Sequence, residues 1–301
     1  MENMDRRDFL KLAGIGGVVF ASGLGTRARA SEGKSAPEDF FYIQLTDSHW
    51  GFEEPKANPD AKGTLQKAVA MVNSLTTQPD FIVFTGDLTH ITDNPQERRK
   101  RLGEFKEIIS RLKVQNIKLM PGEHDASLDN GEAFREAFGR THYSFVHKGT
   151  HFIVLDNVSD PTASIGKAQL LWLSEELKQI DKDVRIVVFA HRPLFDLYPQ
   201  WGWSTRDGAK AIDLLMPYKN VTVFYGHIHQ EHHHSTGHIP HHAAKSLIFP
   251  FPAPGSVPKL VPIPWDPAFP YRGLGISIET ALPKIGFRVT EYPVVKRHLN
   301  P

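Results

Sequence analysis

Residues 221–229 read Val-Thr-Val-Phe-Tyr-Gly-His-Ile-His, and this stretch decides the fold. Its first five residues make a short buried strand. Gly226 then permits a sharp exit, letting the backbone approach a bound group. Alternation points His227 and His229 to one side while Ile228 packs behind. Four other apolar runs end in the same way. Residues 40–45 lead to Asp47-Ser48-His49, and 81–84 to Gly86-Asp87. Residues 117–120 lead to Gly122-Glu123-His124-Asp125, and 186–190 run straight into His191.

Between these runs lie helical faces: Leu65, Ala68, Val69, Val72 and Leu75, then Leu102, Phe105, Ile108, Ile109 and Leu112, then Leu170, Leu173, Leu177 and Ile180. A further strand is expected over 151–155, and a closing antiparallel pair over 273–278 and 285–289. Strands alternating with helices predict α/β architecture. In such a sheet the carboxyl ends of the strands form the ligand-binding edge, so residues distant in sequence converge there.

One Asp-x-His pair, or one histidine after a strand, is more often a satisfied structural group than a ligand. Five clusters in order, each at the same end of a strand, reverse that weighting. Three buried carboxylates among several histidines would be very costly without a cation. The chain has no cysteine, so imidazole and carboxylate are the available donors. They suit iron, manganese, zinc, nickel or cobalt.

The ordered set Asp-x-His, Gly-Asp, Gly-Asn-His-Asp, His and Gly-His-x-His is the signature of calcineurin-like metallophosphoesterases, and the chain resembles that family from about residue 40 to 229. The resemblance implies a layered α/β/β/α sandwich with two central mixed sheets. It implies two di- or trivalent metal ions, with iron, manganese or zinc foremost. Asp47, His49 and His229 would hold the first, His191 and His227 the second, and Asp87 would bridge them. His124 would be the acid or transition-state-stabilising group, oriented by the Asp125 carboxylate. The implied reaction is in-line attack on a small phosphate ester by a metal-bound hydroxide.

One position departs from the pattern. The family's Asn, a ligand of the second metal, is Glu123 here. The additional carboxylate is expected to favour singly charged diesters over doubly charged monoesters. Two alternatives stand beside this: Glu123 swings away and water replaces it, or the site binds metal without turnover, as a metal-sequestering protein would.

The ends differ from the middle. Arg6-Arg7, an apolar run over 12–24 and Ala28-Arg29-Ala30 form a twin-arginine export signal over residues 1–30. The run is too short and too glycine-rich to span a bilayer. A linker at 31–39 then precedes one domain over 40–301, with export machinery as partner and the periplasm or exterior as destination. Without residues 1–30, 30 basic groups face 31 acidic ones, which leaves no footprint for nucleic acid or an anionic membrane. Prolines recur from 240 to 270, predicting extended connections. Eight histidines fall within 227–242. Beyond the motif, His232, His233, His234, His238, His241 and His242 read as a polar loop or as an accessory metal site. Trp50, Tyr198, Trp201 and Trp203 could form a substrate wall or pack their loops. His90 stands where purple acid phosphatases carry tyrosine, and reads as a supporting residue.

Overall fold

The computed structural model describes residues 39–282 and 286–294. The export segment at 1–30 and the linker to residue 38 lie outside the described residues. The strands are β1 (Phe40–Leu45), β2 (Phe81–Thr85), β3 (Ile117–Met120), β4 (Tyr143–His147), β5 (Thr150–Val154), β6 (Arg185–Phe189), β7 (Asn220–Tyr225), β8 (His232–Thr236), β9 (Ile239–Ala243), β10 (Gly275–Leu282) and β11 (Gly286–Pro293). The helices are α1 (Ala61–Ser74), α2 (Pro95–Ile109), α3 (Glu123–Ala126), α4 (Glu132–Phe138), α5 (Lys167–Lys178) and α6 (Gly208–Leu215). None of them is long and apolar enough to cross a membrane, among the described residues.

Two mixed sheets result, ordered β11-β10-β1-β2-β3 and β4-β5-β6-β7-β9-β8. Alternation along the strands explains why both faces of each sheet are apolar. Phe40, Tyr42, Phe81 and Val83 point to the space between the sheets and meet Phe152, Val154, Val187 and Phe189 from the other side. Tyr42 stacks on Phe81 at 4.7 Å, and Phe145 on Phe152 at 4.8 Å. Each fully buried ring of this layer contributes about 2–3 kcal/mol. The intervening residues Phe41, Ile43, Ile82 and Phe84 face outward and pack under α1, α2 and α4. Ile153, Ile186 and Val188 do the same under α5 and α6. This is the α/β/β/α sandwich.

β1, β2 and β3 are parallel, as are β5, β6, β7 and β9. The exits of β1, β2, β3, β6 and β7 therefore supply one shared edge. One expectation is corrected here. Residues 231–242 do not form a loop: β8 and β9 are an antiparallel hairpin that extends the second sheet. Gly237, with φ of 60°, supplies the tight turn. Cross-strand pairs His233–His242 and His234–His241 stand on opposite faces.

Candidate metal centre

The exits of β1, β2 and β7 deliver their ligand-type residues through a left-handed backbone. Asp47, His49, Asp87, His227 and His229 all have φ between 42° and 65°. They are five of eight such non-glycine residues among those described, so backbone strain concentrates at this edge. Two glycines make the close approach possible. A Cβ on Gly86 (φ 98°) would collide with the His191 ring, and one on Gly122 with the Asp87 carboxylate.

The side chains fall into three groups. Asp47, His49 and His229 form the first, Asp87, Glu123, His191 and His227 the second, and His49, His90 and His124 a third that shares His49 with the first. In the first, the Nε2 atoms of His49 and His229 are 3.1 Å apart, and His229 Nε2 is 3.4 Å from Asp47 Oδ1. In the second, Glu123 Oε2 lies 2.8 Å from His191 Nε2, and Oε1 lies 2.8 Å from His227 Nδ1. Asp87 Oδ2 stands between them, 3.4 Å from His49 Nε2 and 3.5 Å from His191 Nε2. Glu123 does not swing away; it reaches into the second group and fills its corner.

The outer nitrogens of the rings show why the inner ones suit a cation. His191 Nδ1 faces Thr85 O at 2.7 Å, His229 Nδ1 faces Phe249 O at 2.8 Å, and His227 Nε2 faces Gly202 O at 3.1 Å. A carbonyl oxygen only accepts, so the ring nitrogen facing it carries the proton. In a neutral ring the other nitrogen presents its lone pair to the centre. Glu123 Oε2 and His191 Nε2 are buried and touch without hydrogen-bond geometry. A metal ion between such atoms satisfies both, and the donor set fits the metals expected from sequence.

Protonation follows the same crowding. Burial opposes a charged His191, yet Asp87 and Glu123 raise its pKa well above the usual value. Burial opposes a charged Glu123 too, but His227, His191 and Arg192 hold its carboxyl well below the ordinary range. Burial, with His124 beside it, holds the pKa of His49 well below the usual value. Sequence reading missed Arg192, whose Nη2 is 3.5 Å from Glu123 Oε1 and whose Nη1 donates to Gly202 O. It also missed Asn157, whose Oδ1 accepts from the backbone of His191 and Arg192. Position 192 directly after a ligand was the available signal for the first; nothing pointed to the second.

His124 lies at the rim, its Nε2 4.0 Å from Asp87 Oδ2 and its ring 4.5 Å from His49. The expected partnership with Asp125 is corrected. Asp125 is fully buried, and its oxygens accept from the backbone of Gly122, Leu88 and Thr89 and from the Thr89 hydroxyl. Among the described residues no hydrogen bond joins it to the His124 ring. The group that orients His124 is the Ile91 N–H, which donates to Nδ1 at 3.1 Å. The reason is geometric: α3 starts at Glu123, and successive helical side chains point in different directions. Asp125 instead ties the β2 exit to the β3 exit. Asp125→Ala is therefore expected to cost roughly 3 kcal/mol by stranding buried donors, seen as a Tm lowered by about 8 °C. An unchanged Tm with a displaced pH–rate profile would return Asp125 to the role of His124's partner.

The remaining histidines and aromatics divide. Among the described residues, no three-ligand group includes a histidine of the β8–β9 hairpin. His232 bonds the Tyr225 hydroxyl, His233 pairs with His242, and His234 stacks on Phe195 at 4.0 Å. These contacts support the structure of the hairpin. Trp50 donates to Glu104, and Trp203 is fully buried, so both pack their loops. Tyr198 and Trp201 are half-buried, 4.9 Å apart.

Known proteins agree with this architecture. Serine/threonine-protein phosphatase CPPED1 of Homo sapiens is 28% identical over 55% of this chain and 58% of its own length. The chain thus spans less than two thirds of that relative. A probable glycerophosphodiester phosphodiesterase, GpdQ, of Arcobacter nitrofigilis is 27% identical over 62% of this chain and 71% of its own. The structure of a dimetal phosphatase from Danio rerio superposes with a TM-score of 0.58 at 12% identity, covering 85% of this chain and 98% of the other. The model of the calcineurin-like phosphoesterase family matches residues 42–231, a span holding every strand exit that feeds the centre, and the chain belongs to that family.

Proposed function

We propose that the chain is an exported hydrolase that cleaves phosphate esters, diesters in preference to monoesters, at two metal ions. Asp47, His49 and His229 would hold one ion, Glu123, His191 and His227 the other, with Asp87 shared. The family is metal-dependent. The observation that carries the reading is the convergence of imidazole lone pairs and three carboxylates at one sheet edge, with His124 beside them. Metal ions bound there supply Lewis acidity and a water of lowered pKa.

The protein's own part is positioning and charge. Because Ile91 N–H occupies Nδ1 of His124, the neutral ring carries its proton on Nε2. That N–H is the donor for the departing ester oxygen. Glu123 decides between substrates. One extra negative charge about 5 Å from a phosphoryl group costs a second substrate charge about 3 kcal/mol at an effective dielectric near 20. Arg192 offsets part of this, so the net preference is smaller. The names of the relatives include both a phosphatase and a phosphodiesterase, and the charge argument selects the second. Export rests on the residues of segment 1–30 and is checked by cell fractionation.

The test is metal analysis of the purified protein together with turnover of p-nitrophenyl phosphate and bis-p-nitrophenyl phosphate. About two metals per chain and faster diester cleavage are expected. Glu123→Asn should lower the diester-to-monoester ratio about tenfold. An unchanged ratio with unchanged metal content sinks the diester assignment. Bound metal without turnover of either ester favours a metal-sequestering protein.

A further inference from the structure

Four imidazoles line the candidate centre, and three of them rest their outer nitrogen on a backbone carbonyl. His49 is the exception. Its Nδ1 lies 3.4 Å from Nδ1 of His90, with ring centroids 5.6 Å apart. A carbonyl imposes one tautomer on its partner, whereas an imidazole nitrogen can accept or donate. The tautomer of His49 is therefore set by another side chain.

We propose that His90 is a positioning residue for the first metal: its Nδ1 accepts from His49 Nδ1–H and so keeps the His49 Nε2 lone pair turned toward Asp47, His229 and Asp87. The inference rests on the metal-centre reading above and deepens it.

The surroundings hold His90 for this task. Its backbone N–H donates to Trp50 O at 2.9 Å, tying the β2 exit to the β1 exit that carries His49. Arg101 Nη1 donates to its carbonyl at 2.8 Å. Phe52 meets its ring edge-on at 5.1 Å, and His124 lies 5.0 Å away on another side. Within these contacts the ring keeps the face of Nδ1 toward His49. Losing an outer partner of a metal-bound histidine weakens metal binding about 10- to 100-fold. The loss should fall on one ion of the pair, since His191 and His227 rest on Thr85 and Gly202 instead.

Two substitutions separate hydrogen bonding from packing. His90→Phe keeps a ring against Phe52 but offers no acceptor. His90→Asn loses the ring but can place a carbonyl oxygen near the position of Nδ1. Metal-stripped proteins would be titrated with manganese against a competing chelator, with bound metal counted per chain after gel filtration. The expected result is two ions on the wild type, one of them weakened about 10- to 100-fold by His90→Phe and recovered by His90→Asn. Wild-type affinities in both variants would overturn the proposal. Equal losses in both would overturn it in favour of simple packing. Absence of metal uptake by the wild type would overturn the metal-centre reading itself, and this proposal with it.

Discussion

Asp87→Asn is expected to abolish turnover almost completely, lowering kcat about a thousandfold or more, and to remove at least one metal ion per chain. Oδ2 of Asp87 stands between the first and second groups, 3.4 Å from His49 Nε2 and 3.5 Å from His191 Nε2. Its other oxygen accepts the His124 backbone N–H at 2.9 Å, so the carboxylate also places the rim histidine. Asparagine preserves the shape and can preserve that hydrogen bond. What it removes is one negative charge from the atom that lies between the two groups. Two cations bound a few ångströms apart would repel each other, and a carboxylate between them would offset that repulsion. Elemental analysis paired with steady-state rates on bis-p-nitrophenyl phosphate checks the expectation. Two retained metals and a rate within tenfold of wild type would show that Asp87 is not shared.

His124→Asn should leave metal content intact and lower kcat about 100- to 1,000-fold on esters with poor leaving groups. Asparagine can still accept from Ile91 N–H, so the loop between β2 and α2 keeps its anchor. The Nε2–H donor is lost. A hydrogen-bond donor to the departing oxygen matters most when that oxygen carries the most charge, so an alkyl ester should suffer much more than a p-nitrophenyl ester. Equal losses on the two would assign His124 to stabilising charge on the phosphoryl oxygens. No loss on either would remove it from the reaction.

Much of the site was legible because apolar runs and ligand types alternate along one chain. Asp47, His49, Asp87, Glu123, His124, His191, His227 and His229 were all placed from residue type and position after a strand, and all arrive at one edge. Asp125 was placed there too, but its role was misread: adjacency to His124 in sequence does not translate into contact within a helical turn. The histidines of 232–242 were read as a loop because polar side chains masked a strand pattern. A buried strand such as β9 accepts polar residues when these pair with a partly exposed neighbour, as His242 does with His233.

The sequence by itself determined the alternation of strands and helices and the strand ends at which the candidate residues gather, while the layer order came from the family resemblance. The first two follow from periodicity and from chain order, which are local properties. Only the tertiary structure decided which nitrogen of each imidazole faces the centre, whether Glu123 enters it, and what orients His124. The partners responsible are Thr85 O, Gly202 O, Phe249 O and Ile91 N–H. Every residue carries the same carbonyl, and every residue but proline the same N–H, so no residue type marks the ones that matter. They are selected when two twisted sheets pack and their loops cross, an event that no local stretch of sequence records.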